Sequence, residues 1–113
     1  MATDQRNERR HIVRQKAQIM CSDGSVVPVL LMELSPNGAC ILSSVPATVG
    51  AQLRIRAPLY VTGRSFNIEL VAVARYSVLE SASGKHRVGL VTKEFIGDSK
   101  ALVTEVLTLM PHL

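Results

Sequence analysis

The sequence contains no tryptophan, and only two tyrosines and two phenylalanines among 113 residues. That scarcity argues against a base-stacking platform for single-stranded nucleic acid, which needs several exposed rings. Cysteine is equally sparse, with two in the whole chain. Two thiols make no disulfide framework, and the polar, charged start of the chain does not resemble a secretory leader, so a reducing, cytoplasmic setting is expected. No apolar run approaches the roughly 18 residues of a membrane-spanning helix, so no membrane insertion is expected. There is no nucleophile elbow, no phosphate-binding glycine loop and no Cys-x-x-Cys. His11, His86 and His112 have no partners at metal-ligand spacing. The carboxylates are scattered, with no evident acid/base pair. These absences point to a protein that is not an enzyme and that needs no metal or cofactor.

What is present is enough to fold. Hydrophobic residues make up 47% of the chain and charged residues 19%, a balance that buries a core. The length fits one domain. The formal charge is +4. Within residues 1–16, Arg6, Arg9, Arg10, Arg14 and Lys16 face only Asp4 and Glu8, so three of those four net charges sit at the start of the chain. Such a cluster fits either a small anionic partner or a solvated tail.

Residues 1–9 show no apolar periodicity and read as a flexible basic arm. From Gln15 to Cys21 the pattern alternates, with Ala17, Ile19 and Cys21 on one side, which predicts a half-buried strand. Asp23-Gly24 then supplies hairpin-turn chemistry. Val26–Leu34 is almost wholly apolar and reads as a strand buried on both faces for part of its length. Ser35-Pro36-Asn37-Gly38 is a turn, followed by a short strand over Ala39–Ser43. Leu53, Ile55 and Ala57 alternate again, and Pro58–Ser65 reads as a loop. The clearest alternation is Phe66, Ile68, Leu70, Ala72 and Ala74. A turn at Ser81–Gly84 leads to a last strand, His86–Val91. After it the period changes. Asp98 or Ser99 can cap a helix whose apolar stripe includes Leu102, Val106 and Leu109, ending before Pro111. That stripe either packs on the sheet system or forms part of a dimer contact. The expected fold is mainly β: a small six-stranded antiparallel β-barrel over residues 10–97, with a C-terminal α-helix over 98–110 in the same domain. Cys21 and Cys40 are expected on neighbouring strands, as small core hydrophobes.

Two stretches carry chemistry. Arg9-Arg10-His11-Ile12-Val13-Arg14 lies where the arm enters the first strand. Arginine offers a planar fork of donors for phosphate and a flat face for stacking on a base. Glu33-Leu34-Ser35-Pro36-Asn37-Gly38 supplies a carboxylate, a hydroxyl and a glycine at the end of the second strand. A carboxylate can accept the ring N–H and exocyclic amine of guanine, and glycine lets a ligand approach the backbone.

In this order the two stretches resemble the PilZ domain family, small β-barrels that act as receptors for the bacterial second messenger cyclic di-GMP. The first is similar to the family's Arg-Arg-x-x-x-Arg, the second to its Asp/Asn-x-Ser-x-x-Gly. Val73-Ala74-Arg75-Tyr76 and Arg87-Val88-Gly89-Leu90-Val91 are similar to its later strands. The resemblance runs from Glu8 to about Phe95. It implies that Arg10 and Arg14 contact the phosphates and stack on guanine, with Arg9 in support. It further implies that Ser35 and Gly38 face a guanine edge and that Glu33 hydrogen-bonds it. Ligand capture would create a surface for an unidentified protein partner, with the chain a monomer or weak homodimer. Glu33 departs from the family, which has Asp or Asn there. The alternative is therefore a PilZ-like interaction module that does not bind cyclic di-GMP. A third reading, a barrel that binds a nucleic acid polymer, rests on the basic arm and is opposed by the shortage of aromatics.

Overall fold

A computed structural model describes residues 10–110. The arm expected over residues 1–9, with Arg9, lies outside the described residues, as do Pro111 and His112. Six strands are followed by one helix: β1 (His11–Met20), β2 (Val26–Ser35), β3 (Gly38–Ser43), β4 (Gln52–Val61), β5 (Arg64–Glu80), β6 (Lys85–Phe95) and α1 (Ser99–Leu109). All pairings are antiparallel in the order β1-β2-β3-β6-β5-β4, and β4 pairs back onto β1 to close the barrel.

The alternation seen in the sequence is the alternation of burial. Ala17 and Ile19 of β1, Ile55, Ala57 and Leu59 of β4, and Phe66, Ile68, Leu70, Ala72 and Ala74 of β5 all point into one core. The apolar run in β2 has a different cause. Val29, Leu31 and Leu34 are its buried members, and their period breaks at Met32. There the pairing with β3 slips by one residue, from Leu31↔Ile41 to Glu33↔Cys40. A bulge of this kind moves every later side chain to the other face. It turns Leu34 inward and Glu33 outward.

Four sequence expectations need correction. Pro58–Ser65 is not a loop: β4 continues to Val61, and only Thr62-Gly63 turn the chain into β5. The β1–β4 ladder covers only Gln18–Met20 against Arg54–Arg56. Residues two apart on a strand aim their N–H groups the same way, and the Tyr60 N–H faces β1. The N–H that Pro58 lacks would therefore face β1 too, past the end of the ladder, where its loss costs no pairing. Gln15 bridges the open seam: its side-chain amide donates to the Tyr60 carbonyl and accepts from the Tyr60 N–H, both at 2.8 Å.

The first and last strands are also longer than their patterns indicate, beginning at His11 and ending at Phe95. Neither Asp98 nor Ser99 caps the helix through its side chain. Ser99 Oγ instead accepts the N–H of Glu69 at 2.9 Å, tying the start of α1 to β5. Finally, Cys21 and Cys40 are not on neighbouring strands. Cys21 follows β1, Cys40 lies on β3, and β2 runs between those strands.

An eleven-residue helix is marginal by itself. Here Val103 and Val106 are buried in the barrel core, and each fully buried valine contributes roughly 1.5–3 kcal/mol. The far end of α1 is held by His11 Nδ1 against the Met110 carbonyl oxygen at 3.2 Å. With its ends on β5 and β1, either side of β4, the helix spans one end of the barrel. Among the described residues, no helix is long and apolar enough to cross a membrane.

Candidate ligand-binding site

The spacing of Glu33, Ser35 and Gly38 has a geometric origin. Glu33 and Ser35 are two apart on β2, so both face outward beyond the bulge. Pro36-Asn37 form a two-residue turn that sets Gly38 directly opposite Ser35. The Thr92 N–H donates to the Asn37 carbonyl at 2.8 Å and fastens this turn to β6. Ser35 Oγ donates to the Gly38 carbonyl at 3.3 Å.

The register then carries the row around the barrel. Glu33 pairs with Cys40, Cys40 with Gly89, and Gly89 with Tyr76. One step along, Ser35 pairs with Gly38, Gly38 with Val91, and Val91 with Val73. Each row has a glycine in its middle, so the outer surface dips between β2 and β5. Neither glycine tolerates a side chain. A Cβ on Gly38 would lie 2.7 Å from the Leu90 carbonyl oxygen, and a Cβ on Gly89 would collide with the ring of Tyr76. That ring lies flat on β6 because Gly89 leaves it room.

The dip is a cavity of about 330 Å³. Arg10, Glu33, Ser35 and Gly38 line it, so four of the six residues singled out in the sequence converge there. Arg10 immediately precedes β1, and its Nη1 donates to Glu33 Oε1 at 3.3 Å, with side chains 38% and 21% exposed. Arg14 is placed differently. It is exposed, in a left-handed conformation (φ 54°), at the bulge where β1 slips against β2 between Ile12 and Gln15. It does not line the cavity. Arg9 is outside the described residues.

Sequence reasoning missed the opposite wall. Arg75 and Tyr76 line the cavity from β5, and Cys40 is in its floor. Arg87 Nη1 donates to Cys40 Sγ at 3.3 Å, and the Tyr76 hydroxyl lies 4.0 Å from the same sulfur. Partial burial, followed by the adjacent Cys40 sulfur, holds the Tyr76 phenol above its ordinary range, partly opposed by Arg10 and Arg87. Tyr76 is therefore a neutral group at physiological pH, able to stack and to donate a hydrogen bond. A signal was available: a glycine inside a strand often marks a close approach, and Gly89 is such a glycine.

A wider, more open cleft of about 450 Å³ lies around Arg54, Arg56 and Glu69. Both arginines there already answer Glu69, and none of the residues singled out in the sequence reaches it. Among the described residues, no group of three or more His, Cys, Asp or Glu is placed to hold a metal.

No family model and no curated protein matches the sequence. Solved structures do match the fold. The Bacillus subtilis inhibitor of motility, MotI/DgrA, superposes with a TM-score of 0.75 at 22% identity, over 93% of this chain and 50% of that one. K. pneumonia MrkH in its c-di-GMP complex gives 0.69 at 12% identity, over 94% of this chain and 52% of that one. The PilZ domain of Escherichia coli YcgR with c-di-GMP gives 0.58 at 15% identity, over 94% of this chain and 92% of that one. The chain thus has the fold of a PilZ domain. It spans about half the length of the first two proteins and nearly all of the isolated domain.

Proposed function

We propose that the chain is a non-catalytic, cytoplasmic receptor for cyclic di-GMP, with residues 10–97 and the helix over 98–110 acting as one domain. One observation carries this reading. Two motifs more than twenty residues apart in sequence deliver Arg10, Glu33, Ser35 and Gly38 to a single cavity, on a fold shared with proteins solved in complex with c-di-GMP. Arg10 supplies donors for a phosphate and a face for a guanine. Glu33 and Ser35 meet the guanine edge, and Gly38 lets it approach. The segment bearing Arg9 and Arg10 closes over the nucleotide with Arg14 and presents a new surface to a protein partner. The receptor works as a monomer or weak homodimer and has no nucleic acid polymer as ligand. Charge-assisted hydrogen bonds are worth on the order of 1.5–3 kcal/mol each, so a few of them reach micromolar affinity, about −8 kcal/mol.

Titration calorimetry tests this directly. The protein should release or absorb heat with cyclic di-GMP at tens of micromolar, binding should weaken with salt, and Arg14→Ala should bind far more weakly. A flat titration of the unaltered protein removes the receptor reading.

The second reading is a PilZ-fold interaction module that takes no nucleotide. The Arg10–Glu33 ion pair favours it, because the two groups assigned to the ligand already satisfy one another. Under this reading cyclic di-GMP leaves the thermal midpoint unchanged, whereas a true ligand raises it by mass action.

A further inference from the structure

The cavity holds two cations among the described residues that line it, Arg10 on the β1 side and Arg75 on the β5 side. Their situations differ. Arg10 is neutralised by Glu33. Arg75 is exposed and has no ion-pair partner among the described residues. Its position is also special. The β5–β6 register slips between Ala74, paired with Leu90, and Tyr76, paired with Gly89, so Arg75 is the extra residue of a bulge. Bulges re-aim a side chain next to binding sites, and at this one Arg75 and Tyr76 both line the cavity. From β1 to β5 the sheet takes four strand steps, β1-β2-β3-β6-β5. Both arginines line the same cavity, so one anionic ligand seated in it meets a guanidinium on each wall.

We infer that Arg75 is a phosphate-contacting residue of this cavity, the counterpart of Arg10 on the opposite wall. This rests on the receptor reading, with cyclic di-GMP as the ligand. The guanidinium fork of Arg75 donates to phosphate oxygens. With no ion-pair partner among the described residues, Arg75 is available to an approaching anion, while Arg10 engages only as it leaves Glu33.

The experiment is calorimetry with cyclic di-GMP across a series of salt concentrations, on the unaltered protein, Arg75→Gln, Arg75→Lys and Arg64→Gln. Arg64 serves as the control: it is ion-paired to Glu105 at 2.7 Å and does not line the cavity. Arg75→Gln should raise Kd about tenfold or more and flatten the dependence of log Kd on salt. Arg75→Lys should keep the salt dependence and recover part of the affinity, and Arg64→Gln should match the unaltered protein. Equal melting temperatures exclude a folding effect. If Arg75→Gln binds as the unaltered protein does, or binds more weakly with an unchanged salt dependence, the phosphate assignment is overturned and the receptor reading stands. If the unaltered protein does not bind, the receptor reading fails and the inference fails with it.

Discussion

Glu33→Gln is the most informative single change, because the two roles open to this carboxylate predict opposite signs. Glu33 holds Arg10 at 3.3 Å, with both side chains partly exposed. An ion pair with that much access to solvent is worth roughly 0.2–1 kcal/mol. If Glu33 only competes with the ligand for Arg10, removing its charge tightens binding by up to about fivefold, which is 1 kcal/mol. If Glu33 also accepts the N–H groups of guanine, the change costs a charge-assisted hydrogen bond, about 1.5–3 kcal/mol. The relief of the ion pair offsets part of that. The net is then about 0.5–2.8 kcal/mol, or roughly two- to hundredfold weaker binding. We expect the weaker binding. Calorimetry of Glu33→Gln beside Arg10→Ala measures both, and a double-mutant cycle separates the pair from the ligand contact. The Glu33→Gln domain should fold normally, because the lost pair is solvent-accessible. Unchanged or tighter binding by Glu33→Gln would refute the guanine-acceptor role.

Three further outcomes follow from the same geometry. Gly38→Ala brings a methyl group to within 2.7 Å of the Leu90 carbonyl oxygen; it should cost on the order of 1–3 kcal/mol in urea unfolding and abolish cyclic di-GMP binding. Gln15→Ala leaves the Tyr60 backbone to water at the open seam, which should cost about 1 kcal/mol and speed hydrogen exchange at Tyr60 without changing ligand affinity. The Tyr76 phenol should ionise above its ordinary 10.0, read by ultraviolet absorbance in a Tyr60→Phe background. The unfolded chain then loses this proton first as pH rises, so the stability tied to Tyr76 is intact below pH 10.0 and declines from there through the higher folded value. A midpoint at or below 10.0 would contradict the partial burial of that ring against β6.

The fold was legible wherever one side of a strand faces the core for its whole length. Phe66 to Ala74 alternate because every second residue touches the same interior. The expectation failed where a residue's environment depends on a distant strand. Pro58 reads as a breaker, yet it sits inside β4 because the β1 ladder stops at Arg56. Ser99 reads as a cap, yet its hydroxyl serves the Glu69 N–H, thirty residues away. The half of the site on β2 and β3 was legible for the same reason as the strands. Glu33, Ser35 and Gly38 are arranged by a period of two and a two-residue turn, which are local rules.

The other half required register, and register is set by bulges that one strand alone does not announce. Slips at Ile12/Gln15 in β1, Leu31/Glu33 in β2 and Ala74/Tyr76 in β5 all fall on strands around the cavity. The slip in β2 turns Glu33 out toward Arg10. Arg14 sits at the slip in β1 and does not line the cavity. The slip in β5 presents Arg75 and Tyr76 to the same surface. Regular strands would have kept these side chains in strict alternation and closed the barrel without a site. The irregularities convert a closed, edge-free scaffold into one with an oriented set of donors on its outside. This division also fixes where variation is tolerated. Core alternation can be repacked with other apolar residues of similar volume, whereas removing the bulge in β2 would turn Glu33 away from Arg10, and removing the bulge in β5 would change which of Arg75 and Tyr76 faces the cavity.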